Sequence, residues 1–309
     1  MKSRSNAFYH GVYDTVRGTG TSKSLYTNTN EAQGYNSTNQ NLTAFNANGF
    51  TLGTNSGNTN AVTYVSWNWK GGGAAVSNTS GTITSSVSAS AASGFSVVTY
   101  TGNGTNGSTI GHSIGIAPSM IIVKSRSAVD PWPVYHTSLG NTQSLRLNTT
   151  AAVVTASFWN NTTPSSSVFT VGGGVVSETN TTSVTYVAYC FAPIAGFSAF
   201  GSYTGNGSAD GPFIYCGFRP RWVLLKKTSA VGSWFIYDTA RDTYNLAFKY
   251  LLASDAGAEN TTGTANAWDI DILSNGFKIR NDGGFDNASS ATYIYAAFAE
   301  NPFNNSLAR

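Results

Sequence analysis

Gly196-Phe-Ser-Ala-Phe-Gly-Ser-Tyr-Thr-Gly-Asn-Gly207 opens the fullest copy of a unit that the chain contains more than once. The copy continues through Trp222-Val-Leu-Leu-Lys-Lys227, Tyr237-Asp-Thr-Ala-Arg241 and Asn275-Gly-Phe-Lys-Ile-Arg280, and closes on Ala291-Thr-Tyr-Ile-Tyr-Ala-Ala-Phe-Ala-Glu-Asn-Pro302. A second copy starts at Gly94-Phe-Ser-Val-Val-Thr-Tyr-Thr-Gly-Asn-Gly104. It runs through Met120-Ile-Ile-Val-Lys-Ser-Arg126, Tyr135-His-Thr-Ser-Leu-Gly140, Val168-Phe-Thr-Val-Gly172 and Val184-Thr-Tyr-Val-Ala-Tyr-Cys-Phe-Ala-Pro193.

The start of the chain matches only the second half of this unit. Lys2-Ser-Arg-Ser5 aligns with residues 124–127, Tyr13-Asp-Thr-Val-Arg-Gly18 with 135–140, Asn48-Gly-Phe-Thr-Leu-Gly53 with 167–172, and Val62-Thr-Tyr-Val-Ser-Trp-Asn-Trp69 with 184–191. A spacing of about 100 residues is far longer than a solenoid unit and suits a small β-sandwich. The expectation is an all-β protein of tandem antiparallel sandwiches, jelly-roll or lectin-like. Residues 1–73 form a partial repeat, 74–93 a Gly/Ser-rich linker or edge strand, 94–196 and 197–303 two full repeats, and 304–309 a frayed tail. A half-repeat exposes strand edges, so an upstream segment, another chain or another copy is expected to complete its sheet.

Strand patterning supports this division. In residues 62–69, Val65, Trp67 and Trp69 share one face and Tyr64, Ser66 and Asn68 the other, the alternation of a half-buried strand. Asn-Gly pairs at 48–49 and 275–276 and the two Thr-Gly-Asn-Gly turns tolerate the positive φ of tight reversals. Helical spacing is weak everywhere; residues 241–253, with Tyr244, Phe248, Leu251 and Leu252 loosely on one face, read as a short helix or a loop.

The 309 residues are 40% hydrophobic and 13% aromatic but only 10% charged, with Gly, Ser, Thr and Asn in place of charge. That composition argues against disorder and for β-structure with polar surfaces. The formal charge of +3 comes from scattered residues, without the basic cluster of a nucleic-acid footprint. No apolar run is long enough to span a bilayer. Cys190 and Cys216 both sit in apolar runs and are expected to be free buried thiols.

No catalytic or metal constellation stands out. The Tyr-Thr-Gly-Asn-Gly turns lack the Lys-Ser/Thr of a phosphate loop. Asp269 and Asp271 lie two apart and could pair as acid and base, as could Asp238 and Asp242, yet Asp269 and Asp271 have no counterparts in the second copy. Asn281-Asp-Gly-Gly-Phe-Asp-Asn287 offers oxygen ligands without EF-hand spacing. His10, His112 and His136 do not cluster in sequence, and His136 stands where the other copies carry Asp14 and Asp238, which suggests a turn role. The chain is read as a non-enzyme without cofactor or metal. Aromatics shared between copies are assigned to the core. Copy-specific ones are the ligand candidates: Tyr215, Tyr244, Tyr250 and Phe285, with Arg219, Arg221, Asp242 and Asp286 as polar companions for a shallow glycan or partner site.

These motifs, Lys2-Ser-Arg-Ser5, Asn48-Gly-Phe-Thr-Leu-Gly53, Thr63-Tyr-Val-Ser-Trp-Asn-Trp-Lys70, the two Tyr-Thr-Gly-Asn-Gly turns, Gly217-Phe-Arg-Pro-Arg-Trp-Val223, and Tyr293-Ile-Tyr-Ala-Ala-Phe-Ala-Glu-Asn-Pro-Phe303, carry a family likeness. The sequence resembles the C-terminal repeat region of tail-fibre-like virion proteins of tailed bacteriophages of marine and freshwater bacteria, including cyanophages. The resemblance implies a structural protein on the particle exterior, a tail fibre or adhesin contacting a host surface glycan or receptor, bound to other virion proteins and associated as a homotrimer. The alternatives are a capsid decoration or tail connector protein, and a glycan depolymerase.

Overall fold

The computed structural model describes residues 1–35, 41–54, 57–173, 177–261 and 268–300; the tail expected over 304–309 lies outside them. The partial repeat contributes β1 (Lys2–Ser3), β2 (Gly11–Val12), β3 (Leu25–Tyr26), β4 (Leu42–Asn46), β5 (Gly49–Leu52) and β6 (Tyr64–Val65). The connecting segment forms β7 (Val76–Asn78) and β8 (Ser85–Ser90). The second repeat holds β9 (Phe95–Thr101), β10 (Ser108–Gly111), β11 (Met120–Ser125), β12 (Pro133–His136), β13 (Gln143–Arg146), β14 (Val154–Thr155), β15 (Val168–Val171) and β16 (Thr185–Phe191). The third holds β17 (Ser198–Thr204), β18 (Phe213–Tyr215), β19 (Pro220–Lys227), β20 (Trp234–Asp238), β21 (Leu251–Leu252), β22 (Ile270–Leu273), β23 (Gly276–Ile279) and β24 (Thr292–Ala299).

All paired strands are antiparallel, so the protein is all-β in the way its alternation foretold. An eight-stranded sheet runs β14-β13-β12-β11-β16-β9-β8-β7 and a five-stranded sheet β17-β24-β19-β20-β21. β10-β15 lies over the first and β18-β23-β22 over the second, enclosing one apolar core in each full repeat, around Phe169 and Trp159 and around Phe277 and Ile270. Residues 241–253 form no helix: Asp242 takes the amides of Phe248 and Lys249, and Leu251–Leu252 joins the sheet beside β20. A short polar side chain that satisfies local amides offers the backbone an alternative to a helix.

The same central strands are apolar on both faces. Their other faces meet in a third core that all three repeats share: Leu25 from the first, Val97, Trp132, Val187 and Phe191 from the second, and Trp222, Trp234, Ile294 and Phe298 from the third, with Trp67 and Trp69 packed against it.

Backbone bonds close the repeats into a ring at equivalent positions. The amide of Gln33 donates to the Arg126 carbonyl, that of Val153 to Thr228, and that of Glu259 to Arg4, at 2.8–3.0 Å. A buried lysine bridges each seam. Lys124 Nζ reaches the carbonyl of Asn30, Lys226 Nζ that of Thr150, and Lys2 Nζ that of Ala256, at 3.2, 3.3 and 2.8 Å. Each acceptor lies five residues after a leucine at the matching strand position, Leu25, Leu145 or Leu251. The three copies are therefore arranged with quasi-threefold order.

The aspartate of the Tyr-Asp-Thr-x-Arg motif joins the same seams. Asp14 accepts from Arg17 Nε and the Tyr189 hydroxyl, and Asp238 from Arg241 Nε and Trp67 Nε1, at 2.5–2.9 Å. In the third seam the strand position of Tyr189 and Trp67 is Ala296, too short to reach, and His136 bonds the Tyr295 carbonyl directly at 3.1 Å. Its other ring nitrogen accepts from the Ser138 amide, the turn role that the Asp/His interchange suggested. Both cysteines are free; Cys190 is buried, while Cys216 is half-buried rather than buried.

Candidate functional site

The third repeat exposes several aromatic rings, some by strand alternation and some from loops. On β18, Ile214 turns inward and Phe213 and Tyr215 outward, which leaves Tyr215 67% exposed. Tyr244 crowns the loop between β20 and β21 at 86% exposure. Phe285 is 47% exposed and packs edge-on to Trp268 at 5.5 Å, which in turn meets half-buried Tyr250 at 5.5 Å. Phe235 supports both ends, 5.1 Å from Tyr250 and 6.4 Å from Phe285. The outer ring therefore stands on a slab of rings rather than on mobile side chains. Arg219 and Arg221 converge on Glu300, the former in a direct ion pair and the latter at 3.7 Å. Among the described residues Tyr215 and Tyr244 join neither group.

Two of the candidate companions are corrected by burial. Asp242 is closed in by its loop amides and by Lys249 Nζ at 3.3 Å. Asp286 is buried beneath Phe285, with Oδ2 taking the Asn281 amide at 3.2 Å. Burial pushes the Asp286 carboxyl up to about 7, and the nearby charge of Asp269 adds to the rise. Neither can bind a ligand from solvent, because each is spent on ordering a loop.

The carboxylate pairs nominated for acid–base work are likewise engaged. Asp271 pairs with Arg280 at 3.3 Å and Asp269 is buried; Asp238 is held by Arg241 and Trp67. The loop 281–287 is a clasp. Asn287 Nδ2 donates to Asn206 Oδ1, Ser208 O and Asn281 O at 2.6–3.0 Å, and Asn206 N returns a bond to Asn287 Oδ1. In the second repeat Asn180 does the same for Asn103 and Thr105. The Thr-Gly-Asn-Gly turn therefore serves to lock the end of a strand to the loop before β16 or β24. Among the described residues no group of three or more His, Cys, Asp or Glu is placed to hold a metal.

A feature that sequence reasoning missed lies at the shared core. On the side of the partial repeat there is a cavity of about 700 Å³ lined by Trp67, Trp69, Trp132, Trp222, Tyr189 and Phe298, with His10 and the tips of β4 and β5 at its edge. Trp69 meets Trp222 at 5.3 Å and Phe298 at 5.4 Å. His10 stands eight residues after Lys2, as Trp132 and Trp234 stand eight after Lys124 and Lys226. Each tryptophan donates to a carbonyl across its seam, Trp132 to Tyr26 and Trp234 to Arg146. The smaller imidazole faces the equivalent backbone of Leu252 and Asp255, and burial holds its pKa well below the ordinary range. That eight-residue spacing, and the change from Tyr189 to Trp67, were the available signals.

One family model covers residues 1–302, both full repeats and the partial one together. The chain belongs to the family described as Domain of unknown function (DUF7483). Its span treats the three copies as one unit, as the closed ring of seams does. Neither a curated protein nor a solved structure matches the chain.

Proposed function

We propose that this DUF7483 chain is a non-enzymatic binding module of a tailed-phage particle, a tail fibre or adhesin whose third repeat contacts glycans of the host envelope. The observation that carries the reading is the exposed aromatic surface: Phe285 on its slab of Trp268, Tyr250 and Phe235, with Tyr215 and Tyr244 as further outward rings. A sugar face stacks on such rings, and each buries about 150 Å² or more when covered. Arg219 and Arg221 with Glu300 supply polar groups for hydroxyls. The resemblance of the repeats to phage fibre proteins supplies the particle setting and, with it, assembly as a trimer beside other virion proteins.

The test is retention of the labelled 309-residue protein on a panel of envelope polysaccharides and whole cells, with reducing ends assayed in the same tubes. Selective retention without released ends is expected. Tyr244→Ala and Tyr215→Ala should weaken it while leaving thermal stability unchanged, since neither ring packs in the core. Released reducing ends would move the protein to the depolymerase class. Uniform failure of folded protein to bind, together with binding to particles lacking it, would make it a decoration or connector protein.

A further inference from the structure

We infer that the partial repeat is a docking site for a strand–turn–strand segment of a second polypeptide, of the kind that residues 94–111 supply within the second repeat. The two full repeats act as internal templates. In each, the strand that closes the unit is paired on both edges: β16 lies between β11 and β9, and β24 between β19 and β17. In the partial repeat, among the described residues, the equivalent strand pairs on one edge, through Lys2–Val65 and Ser3–Tyr64 with the Arg4 amide on the Thr63 carbonyl. Among the described residues Ser66, Trp67, Asn68 and Trp69 belong to no ladder, although they align with residues 188–191, which pair along their whole length with β9.

Three further positions in the partial repeat lack what the templates have. Asn58 aligns with the buried clasps Asn180 and Asn287 but is exposed, its amide reaching the Gly53 carbonyl. Phe50 and Leu52 align with Phe169 and Val171, and with Phe277 and Ile279, all four of which have no exposed surface. In the partial repeat both are only half-buried, and Phe45 across the hairpin is 39% exposed. Among the described residues β5 pairs with β4, whereas β15 pairs with β10 and β23 with β18 as well as β22. Finally, the 700 Å³ cavity lies beside Trp67 and Trp69 and is continuous with the shared core, into which β9 of the second repeat sends Phe95 and Val97, the latter lining the cavity.

A single segment satisfies all of these. Its first strand would run antiparallel to residues 63–69 in the register of Thr101 opposite Thr185 and Phe95 opposite Phe191. The side chains corresponding to Phe95 and Val97 enter the cavity. A Tyr-Thr-Gly-Asn-Gly turn then brings an asparagine to Asn58, and the second strand covers Phe50 and Leu52 as Ser108–Gly111 covers Phe169 and Val171. Main-chain pairing gives such strand addition its affinity, and the side-chain pockets give its specificity.

The test is hydrogen exchange and titration of the full 309-residue protein with a capped synthetic peptide of the sequence of residues 94–111. The expected result is saturable binding that protects the amides of Ser66 and Asn68, whose counterparts Ala188 and Cys190 face β9. A peptide carrying Tyr100→Ser and Asn103→Ala should bind at least about tenfold more weakly. Asn58→Ala in the protein should cost about tenfold with the unaltered peptide, the loss of roughly one buried hydrogen-bonded clasp. Because Asn58 is exposed in the unoccupied protein, that variant folds as the parent does. Absence of protection, or equal binding of the altered peptide, overturns the proposal. So does concentration-independent protection of Ser66 and Asn68 in peptide-free protein, since the chain then fills its own edge; concentration-dependent protection supports the proposal, with a second copy as the second polypeptide.

Discussion

Lys226→Met tests whether the three repeats form one cooperative body. Lys226 has no exposed surface, and its ammonium donates to the carbonyls of Thr150 at 3.3 Å, Lys227 at 2.8 Å and Gly232 at 2.9 Å. Methionine preserves the stem and its packing but withdraws this donor from all three carbonyls, and the one across the seam, Thr150, keeps the Gly232 amide at 2.9 Å. A buried polar group deprived of its partner costs about 1–3 kcal/mol. Desolvation, which lowers the lysine pKa to about 8, already takes back part of the native gain, and the loops relax. The expected net loss is about 3 kcal/mol. At roughly 2–4 °C per kcal/mol for a chain of this size class, calorimetry should record a fall in Tm of about 6–12 °C, still as one transition. Lys70→Met, at an exposed position, should change nothing. Two separable transitions, only one of them shifted, would show that the third repeat unfolds by itself and refute the shared core; an unchanged Tm would refute the role of the seam lysine.

Asp286 and His136 act on stability in opposite directions with pH. The Asp286 pKa rises from 3.8 to about 7 on folding, so its contribution is complete below pH 4 and is lost as pH climbs through 7, by at most about 4 kcal/mol. Burial lowers His136 from 6.5 to about 4, so its contribution is present above pH 6.5 and is lost as pH falls through 4. Asp286→Asn should therefore raise stability at pH 8 and leave a denaturation midpoint that increases from pH 4 to 7; a profile parallel to the parent's would refute the assignment. Asn180→Ala and Asn287→Ala, each removing a buried amide with two or more partners, should cost about 2–4 kcal/mol in denaturant unfolding, against less than about 0.5 for Asn58→Ala. Trp67→Phe, which strips Asp238 of the 2.9 Å indole bond, should cost about 1–2 kcal/mol, and a double-mutant cycle with Asp238→Ala should show the two losses to be less than additive.

Much of the architecture was legible because its causes are local. The alternation in residues 184–191 and 291–299 marks the strands, the Gly-Asn turns mark their reversals, and matching one copy against another marks the units. The matching also separated the shared Trp132 and Trp234, which proved to be seam donors, from the copy-specific rings Tyr215, Tyr244, Tyr250 and Phe285. It failed for Asp242 and Asp286. An acid absent from the other copy reads as a surface group, and only the course of the loops shows that amides of the same loops surround it.

Sequence by itself determined the strands, the turns and the division into one partial and two full repeats, since side-chain period and glycine placement depend only on neighbours along the chain. It could not say which repeat meets which. The central strands are apolar on both faces, so alternation does not reveal that one face serves a private core and the other a common one. The seams are made by lysines, tryptophans and aspartates bonding to partners far along the chain, many of them backbone carbonyls, which every residue possesses and which leave no trace in the order of amino acids. Closure of the ring, burial of Lys2, Lys124 and Lys226, and the cavity beside Trp67 and Trp69 were decided by tertiary structure alone.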